Sequence, residues 1–269
     1  MKYINCQQYA QEILDHVRAV PDKRKLVIIS VGEDPASQSY IKGKIKDCEY
    51  CGIPYEHVRF RADERDLEVR LIYVIGLYNR NPSVGGIIVQ LPLPDHIDAE
   101  KITQAVYRSK DIDGFRDNSW FKPCTPEGIM YLLHKEVGDI TGKHALIVGR
   151  GKLVGEPIAK MLLEENCTVT IAHSKTEHLD LHLSMADIVI SAVGKPNTVP
   201  LLACINAEVV IDCGVSRNED GKLVGDCYDF HPDWLDELKV TPVPKGVGLM
   251  TRAMLMSHMV PQEVDHAER

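Results

Sequence analysis

KHALIVGRGKLVGEPIAKMLLEEN, residues Lys143 to Asn166, reads as a complete strand–turn–helix unit. "KHALIVG" is a short apolar run of strand length, "RGKLVGEP" a glycine-rich turn, and "IAKMLLEEN" a helix. Gly149, Gly151 and Gly155 are spaced G-x-G-x-x-x-G, one residue longer than the usual dinucleotide fingerprint. Glycines in such a turn let the backbone approach a pyrophosphate, and the helix N-terminus adds amide donors and positive potential. Pro157 in the first helical turn fits that start.

The next strand, "CTVTIAHS", ends in His173 and Ser174, followed by Lys175, with no acid. NAD enzymes place Asp or Glu there for the ribose hydroxyls. Arg150 sits in the glycine turn, where it can face the same ribose. Arginine plus hydroxyl without carboxylate suits a 2′-phosphate, which favours NADP over NAD. The alternative is a Rossmann-like domain that binds no dinucleotide.

Outward from this unit, apolar strands alternate with amphipathic helices, the pattern of an α/β chain with largely parallel sheets. Strands are expected at "KLVIISVG" (25–32), "YEHVRF" (55–60) and "VGGIIVQLPLP" (84–94), with helices over 37–51 and 63–78. "CTPEGIMYLLHKE" reads as a helix with Thr125 as N-cap and Pro126 at its first position. "DIVISAVG" and "EVVIDCGV" are further strands, and "RNEDGKLVGD" a hairpin around Asp220-Gly221. "RAMLMSHMV" begins a closing helix. The expectation is two domains: residues 1–120, joined by the final helix (about 250–269) packing back, and a Rossmann-type unit over 121–249.

The 269 residues suffice for two domains and a sizeable core. A net charge of −8 argues against nucleic acid as main partner, because no basic excess meets phosphates. No apolar run is long enough to span a bilayer, and "MKYINCQQYAQEIL" lacks a signal-peptide core, so a cytoplasmic location is expected. Eight cysteines then stay reduced. Cys48 and Cys51 form a C-x-x-C pair near a helix C-terminus, where the dipole does not lower a thiol pKa, and no zinc ligand set completes it. Packing thiols and no metal are expected.

"SYIKGKIKDCEYCGI" (39–53) carries three lysines at alternate positions. Tyr40 and Lys44 are one helical turn apart and share a face. Lys42 and Lys46 lie about 200° and 240° round from Tyr40 and point elsewhere. A Y-x-x-x-K pair also marks short-chain dehydrogenases, but there it follows the glycine turn within one domain. Here it precedes that turn by about a hundred residues, so a substrate domain and a cofactor domain flanking a cleft fit better. Gln90 ends an apolar strand, where ligands sit in open α/β sheets, and Asp111 and Asp113 bracket Ile112.

Taken in order, "VGEDPASQSYIKGK", "GGIIVQLPLP", "KDIDGF", "PCTPEG", "VGRGKLVGEP", "ADIVISAVGKP", "IDCGV", "DGKLVGD" and "TPVPKGVGLMT" resemble the bifunctional methylenetetrahydrofolate dehydrogenase/methenyltetrahydrofolate cyclohydrolase (FolD) family over nearly the whole chain. The resemblance implies oxidation of 5,10-methylenetetrahydrofolate with NADP and hydrolysis of the methenyl product in one-carbon metabolism. It implies Lys44 as the catalytic lysine, Tyr40 stacking on the folate, Gln90 positioning the lysine and Asp113 binding the pterin. Arg150 and Ser174 match contacts to the 2′-phosphate, Thr125 joins the cofactor set with the three glycines, and the loop with Pro244, Gly246 and Gly248 closes beside both ligands. A homodimer through the nucleotide-binding domains is also implied. The family usually has serine at Gly151, glycine at Lys245 and proline at Leu249, and the stretch after Phe115, "RDNSWF", lacks its His-Pro. A paralogue retaining only hydrolysis, or a non-catalytic folate or nucleotide binder, are the alternatives these changes raise.

Overall fold

Short apolar runs separated by turn residues become strands, and the amphipathic stretches between them become helices that cover the sheets. The computed structural model describes residues 1–228 and 237–261. The first half runs β1 (Lys2–Tyr3), α1 (Cys6–Ala19), β2 (Lys25–Val31), α2 (Pro35–Cys51), β3 (Tyr55–Phe60), α3 (Leu67–Arg80), β4 (Val84–Val89) and α4 (Ala99–Gln104). Then come α5 (Cys124–Glu136), β5 (His144–Val148), α6 (Gly155–Glu164), β6 (Thr168–Ala172), α7 (Leu179–Ser184) and β7 (Ile188–Ser191). The short strands β8 (Val199–Pro200), β9 (Val209–Asp212), β10 (Ser216–Arg217), β11 (Leu223–Val224), β12 (Cys227–Tyr228) and β13 (Lys239–Val240) precede α8 (Val247–Ser257). The expected closing helix (about 250–269) starts earlier, at Val247, and ends at Ser257; residues from 262 on lie outside the described residues.

The chain divides into two units: residues 11–124 with those from Arg252 onward, and residues 1–10 with 125–251. In the first, β3, β2 and β4 form a parallel sheet in that order. Val27 and Ile29 of β2, Ile87 and Val89 of β4, and Leu71 and Ile75 of α3 share its core. β2 is buried from Leu26 to Val31, which is why it reads as a continuous apolar run. The C-terminal residues pack back on this unit. The Arg252 guanidinium holds Asp47, Met256 Sδ meets Cys48 Sγ at 3.8 Å, and His258 Nδ1 pairs with the Ile112 carbonyl at 2.7 Å.

The starts of α2 and α3 differ from expectation for local reasons. α2 begins at Pro35 rather than Ser37, because Asp34 accepts the Ser37 N–H at 2.7 Å and proline suits the first position. α3 begins at Leu67 rather than Asp63, because Asp66 holds a left-handed φ of 51°. The expected hairpin is present: β10 and β11 pair antiparallel, with Gly221 at φ 75° in the turn.

The other unit carries a six-stranded sheet ordered β1-β13-β9-β7-β5-β6. Every pair in it is parallel. Leu146, Val148, Val189, Val210 and Val240 form part of its core. β1 adds to its edge with only two residues, too short to carry a sequence signature. β5 is flanked by β6 on one side and β7 on the other. The chain order reverses there, which makes the carboxyl ends of these strands the binding crevice of such sheets.

Candidate active site

Residues at 100° intervals divide α2 into faces. Lys44 is buried, while Lys42 and Lys46 are exposed. Tyr40 keeps 38% of its surface open, which leaves a ring face free to stack. Across the unit, the Ile87 N–H donates to the Lys110 carbonyl, and Ile87 bridges Asp111 in parallel. That register carries Gln90 and Asp113 forward together past the end of β4, where the Gln90 N–H donates to Ile29 O. Sheet pairing, not sequence proximity, thus brings these two residues to one sheet end.

The Lys44 ammonium stands 3.9 Å from Asp113 Oδ2, with the two side chains 9% and 10% exposed. That is an ion pair too long for a hydrogen bond. Burial pushes the Asp113 carboxyl above the ordinary carboxylate range, and the Lys44 charge draws it back. Gln90 donates Nε2–H to the Leu91 carbonyl at 2.8 Å, while its buried Oε1 has no hydrogen-bond partner among the described residues. The buried hydroxyl of Ser37 is likewise unpartnered among them. Ser37 lies seven residues before Lys44, on the same helix face. Sequence reading passed over it; that seven-residue spacing was the available signal. A folate edge rich in N–H donors and acceptors fits a set with an open carboxylate, an open amide oxygen and an amine.

The C-x-x-C thiols are packing groups: burial pushes Cys48 up to about 12 and Cys51 up to about 11.

In the other unit, Gly149 ends β5 at φ 118°, with its N–H on Ala172 O. A Cβ at Gly155 would overlap the Gly149 carbonyl, so the turn is as tight as its glycines permit. Among the described residues no side chain caps the N-terminus of α6; the Glu156 N–H turns back to the Gly151 carbonyl at 3.1 Å and Pro157 has no N–H, so the Gly155 amide is the first-turn donor left for an anion. Val148 pairs with Ala172 in register. Arg150 and Ser174, each two residues further, therefore emerge side by side and exposed. The Thr176 hydroxyl accepts the His173 N–H, and His173 Nδ1 accepts the Lys175 N–H, which folds a tight turn with Ser174 at its tip. These residues fit a dinucleotide with a 2′-phosphate. Gly151 has nothing within 4 Å of an added Cβ, so a serine fits there too.

Thr125 corrects the expectation of an N-cap. α5 begins at Cys124, two residues before the expected first position at Pro126, and the Thr125 hydroxyl pairs with that of Thr251 at 2.9 Å. The loop before α8 contains Pro244 after a cis bond, then Lys245 at φ 74°. A Cβ at Gly246 would overlap the Pro242 carbonyl, and Gly248 lies in the first turn of α8.

The catalytic-domain model of tetrahydrofolate dehydrogenase/cyclohydrolase matches residues 4–113, and its NAD(P)-binding-domain model matches residues 123–267. The chain is 41% identical over 268 residues to the bifunctional protein FolD of Bacillus velezensis, covering 94% of this chain and 92% of that one. It superposes on the Campylobacter jejuni FolD crystal structure with a TM-score of 0.88 at 36% identity, covering 96% and 97% of the two chains. A Trypanosoma brucei methylenetetrahydrofolate dehydrogenase-cyclohydrolase, solved with NADP and an inhibitor, gives 0.85 at 28% identity, covering 96% and 95%. With both domain models matched in order and the buried lysine, carboxylate and glycine turn in place, the chain belongs to the tetrahydrofolate dehydrogenase/cyclohydrolase family.

Proposed function

We propose that this chain oxidises 5,10-methylenetetrahydrofolate to the 5,10-methenyl form with NADP, and hydrolyses that product to 10-formyltetrahydrofolate. The observation that carries the reading is Lys44: a buried ammonium with no hydrogen bond among the described residues, beside a buried carboxylate. Burying such groups without hydrogen bonds is costly, and the cost is met when a ligand completes them.

NADP, when bound, supplies the oxidised nicotinamide that takes a hydride from the methylene carbon and leaves a cationic methenyl group. Gly149, Gly151, Gly155 and the start of α6 hold its pyrophosphate. Arg150 and Ser174 hold its 2′-phosphate, and Thr125 completes the cofactor set. Asp113 accepts the N–H edge of the pterin, Tyr40 stacks on the aromatic system, and Pro244, Gly246 and Gly248 line the ligands. Water adds to the methenyl carbon as the C–N5 bond opens. Lys44 Nζ donates a proton to N5 and regains one from the hydroxyl that becomes the formyl carbonyl. One proton is released overall. Gln90 Oε1 accepts from Nζ and fixes its direction. Positioned proton transfer of this kind is worth about 10²–10⁴-fold.

Two further points belong to this reading. A homodimer through the nucleotide-binding unit is supported by β6, an edge strand of its sheet with Ile171 exposed. A cytoplasmic location is supported by eight free cysteines. No helix among the described residues is long and apolar enough to cross a membrane.

The test is turnover of methylenetetrahydrofolate with NADP or NAD, followed separately by methenyltetrahydrofolate alone. Turnover in both, with NADP preferred, is expected. Hydrolysis alone would reduce the protein to a cyclohydrolase. Binding without either reaction would overturn the proposal.

A further inference from the structure

Two buried carboxylates in the nucleotide-binding unit organise the loop beyond β7. Asp226 is fully buried. Its Oδ2 accepts the Ser191 hydroxyl at 2.9 Å and the N–H groups of Val193 and Gly194 at 2.8 and 3.1 Å. Its Oδ1 accepts the Lys195 N–H at 2.8 Å. Three consecutive backbone amides therefore converge on one side chain, while the Val193 side chain faces outward, 40% exposed.

Asp212, at the end of β9, holds Asp226 in turn. Its Oδ1 accepts the N–H groups of Gly214 and Asp226 at 2.9 and 3.0 Å, and its Oδ2 accepts that of Cys227 at 2.8 Å. The two acids interlock. A Cβ at Gly214 would overlap the Asp226 carboxylate, and one at Gly225 would overlap that of Asp212. The loop they hold lies against the glycine turn, since a Cβ at Gly149 would meet the Ala192 carbonyl. β5 and β7 are sheet neighbours at the point where strand order reverses, the crevice that receives a dinucleotide.

We propose that Asp226 is a positioning residue for the nicotinamide end of the cofactor. It fixes the backbone of Val193–Lys195, which forms that part of the crevice wall, and Asp212 fixes Asp226. The proposal rests on the NADP reading above. Hydrolysis of methenyltetrahydrofolate needs no nicotinamide and so does not depend on this loop.

Asp226→Asn keeps the shape but turns one acceptor into an NH₂ that must face at least one N–H. The NADP Kd, by calorimetry, and the KM for NADP are expected to rise about tenfold. Amide exchange at Val193–Lys195 in the nucleotide-free protein is expected to quicken, with methenyltetrahydrofolate hydrolysis within about twofold of wild type. Ser191→Ala removes one neutral donor and is expected to shift the NADP Kd the same way by about threefold. It decides the matter if Asp226→Asn does not fold. An unchanged NADP Kd in the folded variant would overturn the proposal, as would parallel losses of hydrolysis and NADP binding. A wild type that binds no NADP would instead remove the parent reading, and this inference with it.

Discussion

The Lys44 ammonium and the Asp113 carboxylate face each other at 3.9 Å, close enough to share a field and too far apart to share a hydrogen. A tighter pair would satisfy itself. At this separation each keeps its hydrogen-bonding capacity for a third party, and Gln90 Oε1, without a partner among the described residues, adds an open acceptor at the carboxyl end of β4.

Lys44→Met is expected to lower methenyltetrahydrofolate hydrolysis by about 10²–10⁴-fold, because the proton carrier is gone. The fold survives: methionine fills a similar volume, and Asp113, already raised by burial, takes up a proton rather than remain an unpaired charge. Steady-state rates with circular dichroism check both halves. Near-normal hydrolysis by a folded variant would remove Lys44 from the mechanism.

In its proposed role as pterin ligand, Asp113 gives folate binding an expected pH dependence. Its carboxyl titrates above the ordinary value of 3.8, chiefly through burial. Below its folded pKa the group is protonated and accepts fewer N–H bonds from the pterin. As pH rises through that pKa the carboxylate forms and the acceptor is complete. Folate affinity is therefore expected to improve from acid toward neutral pH, with KM falling. Asp113→Asn should flatten that limb of the profile and weaken binding at neutral pH. A variant whose KM tracks pH as the wild type does would assign the titration to another group.

What sequence reveals here depends on how local the cause is. That Lys44 lies on a different face from Lys42 and Lys46 follows from helical periodicity, whereas its burial is set by what packs against that face. The glycine turn is legible because strand, turn and helix are contiguous. The placement of Gln90 and Asp113 near one sheet end rests on the Ile87–Asp111 bridge, and such pairing carries no local signal; only the family resemblance suggests it. Thr125 reads as a cap by its neighbours, yet its hydroxyl partner is 126 residues away. Asp226 looks like one more turn acid in "LVGD", although Ser191, its hydroxyl donor, lies 35 residues earlier.

Lys245 occupies a left-handed backbone position at φ 74°. A residue with a Cβ pays about 1–2 kcal/mol there, and glycine returns part of that through unfolded-state entropy. Lys245→Gly is therefore expected to stabilise the protein by about 0.5–1 kcal/mol in urea denaturation. A loss of stability would mean that the lysine side chain makes contacts outweighing the strain.

Arg252 and Asp47 form a two-pronged pair, Nε to Oδ2 at 2.6 Å and an Nη to Oδ1 at 2.7 Å, with side chains 23% and 6% exposed. Removing one partner of such a pair leaves a buried charge, so Arg252→Ala is expected to cost about 3 kcal/mol. The guanidinium lies over Gly43, where an added Cβ would overlap it. The tip of a free arginine would swing away, but Asp47 pins this one. Gly43→Ala thus sets a helix-propensity gain of roughly 1 kcal/mol against displacement of a held group. In the wild type the clash wins and the substitution destabilises. In an Arg252→Ala background that overlap is gone, and the same substitution is expected to stabilise. Urea denaturation of the four proteins in this cycle reads the reversal of sign directly. A Gly43→Ala effect of equal sign and size in both backgrounds would show that the guanidinium does not shape the α2 surface beside Lys44.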